Sequence, residues 1–151
     1  METQRESLFE WVTRVLQDPD PPAELGRLGA PARRALDDNL APDETARVVI
    51  RGTAGQAIVG TDMRVLVLPA FVPGDGPLGE VSSWTYLDVL SVAVNERVYG
   101  GSVVLRVPDG DIAIGAAGDW DVIRARVATL RGFVAGAQSD SLPVELRLVA
   151  L

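Results

Sequence analysis

The sequence predicts an α+β protein in which a run of short strands lies between two helical regions. Residues 46–115 form short apolar runs separated by turns rich in Gly, Pro and Asp, which is typical of strands. Before residue 40 and after residue 118, apolar residues recur with helical spacing. With 151 residues, 47% of them hydrophobic, the chain is long enough for one domain with a short appendage.

The predicted N-terminal helical segment covers residues 1–41. Residues 3–17 are predicted to be an amphipathic helix, which the prolines of the 18–22 segment (Asp-Pro-Asp-Pro-Pro) must end. Residues 22–39 form a second helical stretch that Gly29 and Pro31 are expected to break into short turns. The apolar stripe of the first helix consists of Leu8, Trp11, Val12, Val15 and Leu16.

The middle of the chain is predicted to contain short strands. The strands are expected at 46–51, 56–60, 63–69, 80–95 (one long strand or two short ones), 102–107 and 111–115. A loop is expected at 72–79, and the sequence Pro108-Asp109-Gly110 predicts a hairpin turn. A tight polar corner, Gly60-Thr61-Asp62, is expected to reverse the chain, because Gly60 tolerates a positive φ and Asp62 can bond its own backbone.

A final helix is predicted from Asp119, a good N-cap, to a point near Gly136. Its apolar stripe is expected to be core and consists of Trp120, Ile123, Val127, Leu130 and Val134. Residues 138–151 follow as a strand-like tail, in which Val144, Leu146 and Leu148 alternate with other residues. An apolar tail of this kind is expected to pair with its own barrel, with a second copy or with another subunit.

Two stretches near the corner carry a recognisable motif: "LAPDE" at 40–44 and "GQAIVGTDMRVLVL" at 55–68. They resemble the opening of the bacterial pleckstrin-homology-like (PH-like) domains, and "YLDVLSV" and "GGSVVLRVPDGDIAI" resemble later strands of that family. The matching positions are Leu40, Glu44, Gly55, Thr61, Asp62 and Arg64. The resemblance implies a PH-like seven-stranded β-barrel or sandwich over residues 42–137, with the final helix as its cap.

Composition excludes several function classes. The net charge is −7 and the basic residues are all arginines without runs, which argues against nucleic acid and against attraction to anionic membranes. Without Cys or His there is no disulfide, thiolate zinc site or histidine base. Turn and cap chemistry accounts for the carboxylate pairs Asp109/Asp111 and Asp119/Asp121. We therefore predict a non-enzymatic protein with no catalytic residue, metal or cofactor.

The start of the chain and its hydropathy predict a location. "METQRESLFEW" is too polar for a signal peptide, and no apolar run approaches the roughly 20 residues that span a bilayer. We expect a soluble cytoplasmic protein. The abundance of Ala, Gly, Val and Arg indicates a GC-rich bacterial genome.

The predicted function is that of a bacterial binding or scaffold module that acts through protein–protein contacts at a sheet edge or through the tail. Exposed edges and aromatic side chains are common features of such contacts. The candidate partner-binding residues are Trp84, Tyr86, Tyr99, Val144, Leu146 and Leu148.

The alternative predictions are binding of a membrane lipid or of a small ligand under the N-terminal helix. The candidate anion or lipid contacts are Arg47, Arg51 and Arg64, and Arg64 is also expected to bond a loop carbonyl or a carboxylate. Lipid-binding PH-like members carry several basic residues on the first hairpin, whereas the second strand here has none at 56–59. A contiguous surface cluster of Arg33, Arg34, Arg47 and Arg51 would favour the lipid alternative.

Overall fold

Between two helical regions the chain forms antiparallel sheets, as the residue periodicity predicts. The computed structural model describes residues 23–116 and 118–140; the predicted helix at 3–17 and the tail residues Val144, Leu146 and Leu148 lie outside them. The helices are a 3-10 helix (Ala23–Arg27), α1 (Ala30–Asn39), short 3-10 turns at Thr53–Gly55 and Tyr86–Asp88, and α2 (Trp120–Asp140). The strands are β1 (Ala46–Arg51), β2 (Ala57–Thr61), β3 (Arg64–Leu68), β4 (Phe71–Val72), β5 (Gly76–Pro77), β6 (Ser82–Thr85), β7 (Ser91–Glu96), β8 (Gly101–Val107) and β9 (Gly110–Gly115).

The strands form two main sheets. One has the order β1-β2-β3-β6 and the other β7-β8-β9, while β4 and β5 form a separate two-residue hairpin. The only bridge outside the named strands that the described residues contain joins Gly52 to Ala116, so the two main sheets do not close into a continuous barrel. This mixture of strands and helices, with a helix at the end of the strand region, is consistent with the predicted α+β class.

Helix α2 packs into the core between the two main sheets. It buries Ile123, Val127, Leu130 and Val134, which confirms the predicted stripe, and Trp120 is partly buried at its start. The sheet residues in the same core include Val48, Ile50, Ile58, Val65, Val92, Val103, Leu105 and Ile114. Burial of each such aliphatic side chain contributes roughly 1.5–3 kcal/mol, so this cluster fixes where α2 sits.

The first sheet is buried on its other face as well. Leu25 of the 3-10 helix and Ala32 and Leu36 of α1 cover it. The strand residues beneath them are Ala46, Val49, Ala57, Val59, Leu66 and Leu68. Burial on both faces explains why β1 to β3 are almost continuously apolar and do not alternate. It also fixes α1 against the strands that carry the corner.

Two helical predictions need correction. α2 does not end near Gly136 but continues to Asp140, with Gly132 and Gly136 inside it, because its core stripe continues to Val134 and outweighs the weak helix propensity of glycine. The 22–39 stretch is split at Gly29 as predicted, into the 3-10 helix Ala23–Arg27 and α1, but α1 is a ten-residue helix and not a short turn. Pro31 does not break it, because it stands in the first turn, where proline is tolerated.

The strand predictions differ in two places. The predicted strand region 80–95 is interrupted by the 3-10 turn Tyr86–Asp88, which buries Tyr86. The predicted loop at 72–79 contains part of the β4–β5 hairpin. None of the helices in residues 23–116 and 118–140 is long and apolar enough to cross a membrane.

Gly60 has a different role from the one expected. It lies in β2 without a positive φ. A Cβ there would come within 2.8 Å of both Leu130 Cδ1 and Val48 Cγ1. Glycine is therefore required for space, because α2 approaches the strand closely at this point.

Candidate binding groove

The polar corner is held by a buried ion pair between Glu44 and Arg64. Arg64 Nε donates to Glu44 Oε2 and Arg64 Nη2 to Glu44 Oε1, both at 2.9 Å. The Glu44 side chain has 0% exposure and that of Arg64 29%. Arg64 Nη2 also donates to the carbonyl of Asn39 at 2.6 Å. Arg64 thus pairs with a carboxylate, one of the two predicted alternatives. The carbonyl that it bonds belongs to the last residue of α1 and not to a loop, so Arg64 ties β3 to the end of that helix.

Thr61 and Asp62 complete the corner. Thr61 Oγ1 donates to Glu44 Oε2 at 2.6 Å and accepts from the backbone N–H groups of Met63 and Arg64, each at 3.0 Å. Asp62 Oδ1 accepts from the backbone N–H of Thr45 at 3.0 Å. This is not the bond to its own backbone that the sequence predicts, because it reaches across to the segment before β1. These contacts fix the turn between β2 and β3 without strained backbone.

The environment of Glu44 strongly favours its charged form. Hydrogen bonds from Arg64, followed by those from Thr61 and the Ala41 backbone, lower the pKa of Glu44 to about 2 against the opposing effect of burial. The pKa of Arg64 is raised, chiefly by the same hydrogen bonds. Glu44 is consequently ionised and paired at neutral pH, as a structural carboxylate is.

A groove of about 640 Å³ runs from this corner along the second half of α2. Tyr86, Phe133 and Ala137 supply its apolar surface, and Arg47 and Asp62 are charged residues on its wall. The remaining lining residues are Thr61, Thr129, Gly132, Gly136 and Asp140. An apolar concavity with a few polar groups is the usual form of a ligand-binding site, and this volume falls in the usual range of about 300–1,000 Å³.

Two glycines of α2 deepen the groove. Gly132 and Gly136 are one helical turn apart, and a Cβ at either position would meet no atom of the described residues within 4 Å. Each glycine weakens the helix by roughly 1 kcal/mol relative to alanine, and packing requires neither. Their absent side chains leave the backbone of α2 uncovered by other described residues at these two positions.

Tyr86 and Phe133 connect the groove to the core. Their rings meet edge-on with centroids 5.9 Å apart, and the Tyr86 hydroxyl donates to the Thr61 carbonyl. Tyr86 is only 7% exposed, and burial, with the charges of Asp62 and Glu44, raises the pKa of its phenol. Phe133 is partly buried against the same core. The groove floor is therefore part of the core packing.

The structure does not bring the three predicted aromatic contacts into one patch. Tyr86 forms part of the groove, Trp84 is partly buried against the main core from β6, and Tyr99 is 93% exposed in the loop between β7 and β8. Val98 beside Tyr99 is 92% exposed. The groove also contains Phe133, Gly132, Gly136 and Ala137, which the sequence analysis assigned only to a helix.

The arginines are distributed over different parts of the surface. Arg47 lines the groove, and Arg51 lines a separate cleft of about 130 Å³ at the start of α2 that also includes Glu24 and Arg126. Arg33 pairs with Asp37 at 3.2 Å on α1. No described pocket combines Arg47 with Arg51 or Arg33, which a convergent phosphate site would require.

A smaller apolar cleft of about 390 Å³ lies at the start of α1. It is lined by Pro31, Ala32 and Phe71, together with the turn at Ala54 and Gly55. Ala54 has φ +54°, a left-handed conformation that is uncommon for a residue other than glycine. The described residues around this cleft are mainly apolar and offer few groups to orient a small ligand.

Comparisons with known proteins are sparse. No protein-family profile and no curated protein matches the chain. Among solved structures, the crystal structure of a DUF1696 family protein with a pleckstrin-homology domain from Shewanella loihica PV-4 is similar with a TM-score of 0.45 and 16% sequence identity. The alignment covers 64% of this chain and 90% of that chain. The site is therefore interpreted from its own geometry.

Proposed function

We propose that this chain is a non-catalytic bacterial binding module of the PH-like type, which takes up an apolar protein segment in the groove beside α2. Its seven main strands would be those of the four-stranded and three-stranded sheets. The observation that carries the proposal is the groove itself: an apolar floor at Phe133 and Ala137, opened by two glycines that the helix does not need.

The shape and chemistry of the groove favour a peptide over a phosphate-bearing lipid. Its surface is mainly apolar, and Arg47 is its single basic residue among the described residues. Peptide recognition in grooves depends on apolar anchors with a few orienting polar groups, whereas lipid phosphates need several convergent cations. The rigid corner would hold the wall of the groove in place before binding, which lowers the entropic cost of association.

Panning a random-peptide phage library on the full-length protein tests the proposal. Enriched peptides would be labelled and their dissociation constants measured by fluorescence anisotropy against wild type, Gly136→Phe and Ala135→Phe. Gly136 lines the groove, whereas Ala135, one residue away on the same helix, is exposed and does not. Filling the groove should weaken binding at least about tenfold, and the Ala135 variant should match wild type.

Two results would overturn the proposal. One is that no peptide is enriched; the other is that Gly136→Phe and Ala135→Phe bind enriched peptides equally. Co-sedimentation with phosphatidylcholine vesicles containing phosphatidylserine tests the lipid alternative in parallel. Binding to those vesicles that Arg47→Glu abolishes, with no peptide binding, would replace the protein partner with a lipid.

A further inference from the structure

The chain that follows α2 begins at the wall of the groove. Asp140, the last residue of the helix, lines the groove, and residues 141–151 continue directly from it. Their sequence, SLPVELRLVAL, includes alternating apolar residues that need a surface to cover them. Because the segment follows directly from Asp140, which lines the groove, the groove is an apolar concavity that the segment can reach.

We infer that residues 144–149 of this chain occupy the groove in the free protein, antiparallel to the second half of α2. This inference rests on the proposed function, because it makes the segment an internal competitor that a partner protein must displace. Pro143 favours a turn after α2, since the residue before a proline is disfavoured in helical backbone.

The lengths of groove and segment agree. From Thr129 to Asp140 the helix rises by about 16 Å, at 1.5 Å per residue. From Val144 to Val149 an extended chain also covers about 16 Å, at 3.3 Å per residue. Two extended residues advance by nearly the same distance as one helical turn. With Leu146 beside Gly136, Leu148 therefore lies beside Gly132.

The chemistry of the two surfaces is complementary. Val144, Leu146 and Leu148 share one face of an extended segment, and the groove offers them Phe133 and Ala137. The other face carries Glu145 and Arg147, and the wall of the groove has Arg47 and Asp62, so both surfaces carry one charge of each sign.

Disulfide trapping in the full-length chain tests the inference, because the protein has no cysteine of its own. The pair Gly136→Cys/Leu146→Cys should form an intramolecular disulfide under mild oxidation. The matched pair Ala135→Cys/Leu146→Cys should form several-fold less, since Ala135 does not line the groove. Non-reducing electrophoresis and mass spectrometry measure both yields. A second pair, Gly132→Cys/Leu148→Cys, tests the register and replaces the first if that variant fails to fold.

The outcomes separate this inference from the proposed function. Equal yields in the test and control pairs, no disulfide, or disulfides only between two molecules would overturn it, the last in favour of a second copy as occupant. If library peptides bind the groove although no disulfide forms, the inference alone fails. If the disulfide forms but no peptide binds the reduced protein, the proposed function alone fails. If both hold, oxidation should weaken peptide binding and reduction should restore it.

Discussion

Arg64 forms a bidentate ion pair with Glu44, with Nε–Oε2 and Nη2–Oε1 distances of 2.9 Å, and the Glu44 side chain has no solvent exposure. The pair joins β3 to the segment between α1 and β1. The pair also holds the wall of the groove at Thr61 and Asp62 in position, because the Thr61 hydroxyl donates a hydrogen bond to Glu44. Stability, corner geometry and the proposed binding site therefore depend on the same contact.

Removing one partner of the pair should destabilise the protein markedly. Glu44→Gln leaves the Arg64 guanidinium without its counter-charge, and we expect a loss of about 3 kcal/mol in the free energy of unfolding at neutral pH. Urea denaturation measures it. Asp37→Asn breaks the exposed pair with Arg33 and should cost less than about 0.5 kcal/mol. Equal losses in both variants would show that burial of the Glu44 pair contributes nothing.

The same carboxylate should make stability depend on acid pH. The pKa of Glu44 is about 2 in the folded protein and 4.5 in its ordinary state, so the unfolded chain binds the proton more readily. Its stabilisation, about 3 kcal/mol, is complete above pH 4.5 and is lost as the pH falls towards 2. Urea denaturation at several pH values should show wild type and Glu44→Gln converging in this window. If the difference in unfolding free energy between wild type and Glu44→Gln stays constant down to pH 2.5, the lowered pKa of Glu44 is contradicted.

Gly60 is predicted to tolerate no side chain. Gly60→Ala places a Cβ about 2.8 Å from Leu130 and Val48, and overpacking of this kind costs about 1–3 kcal/mol. Thermal and urea denaturation measure the loss. Gly26→Ala is the matched control, because its Cβ would meet no atom of the described residues within 4 Å and its φ is not positive. The prediction fails if the two variants are equally stable.

The groove glycines should show the opposite effect on stability. Gly132→Ala and Gly136→Ala add a Cβ that meets no atom of the described residues within 4 Å, and alanine favours the helix. In a Leu146→Glu background, which keeps residues 144–149 out of the groove, each should therefore stabilise the protein by about 0.5–1 kcal/mol. The same methyl groups reduce the groove and should weaken peptide binding. Denaturation and anisotropy on the same samples test both effects. If the alanine variants are more stable but bind the peptide with unchanged affinity, the two glycines do not contribute to binding.

The two tyrosines should behave differently. Tyr86→Phe removes the donor to the Thr61 carbonyl, and the loss of this buried hydrogen bond should cost about 1–2 kcal/mol. Tyr99→Ser changes a side chain that is 93% exposed and should leave the unfolding free energy within about 0.5 kcal/mol of wild type. Urea denaturation of both variants decides this, and a larger loss for Tyr99→Ser would reverse the assignment of core and surface.

The elements that depend on local periodicity could be predicted from the sequence. β1 was predicted with its observed bounds, and the core stripe of α2 with its buried members. Glycine roles could not be predicted, because they depend on neighbours distant in the chain: Gly60 makes room for Leu130, and Gly136 opens a groove instead of ending the helix. The groove combines Asp62 with Phe133, which no sequence spacing relates. The signal that could have indicated it is the Gly132–Gly136 pair, four residues apart in an otherwise apolar stretch.

The most direct test of the central claim is an NMR titration of the isotope-labelled full-length protein with a library-selected peptide. If the groove is the binding site, backbone amide shifts should concentrate at residues 129–140 and at Thr61 and Asp62, with β6 and the Val98–Tyr99 loop unchanged. Shifts confined to that loop or to β6, or no shifts with any enriched peptide, would contradict the account.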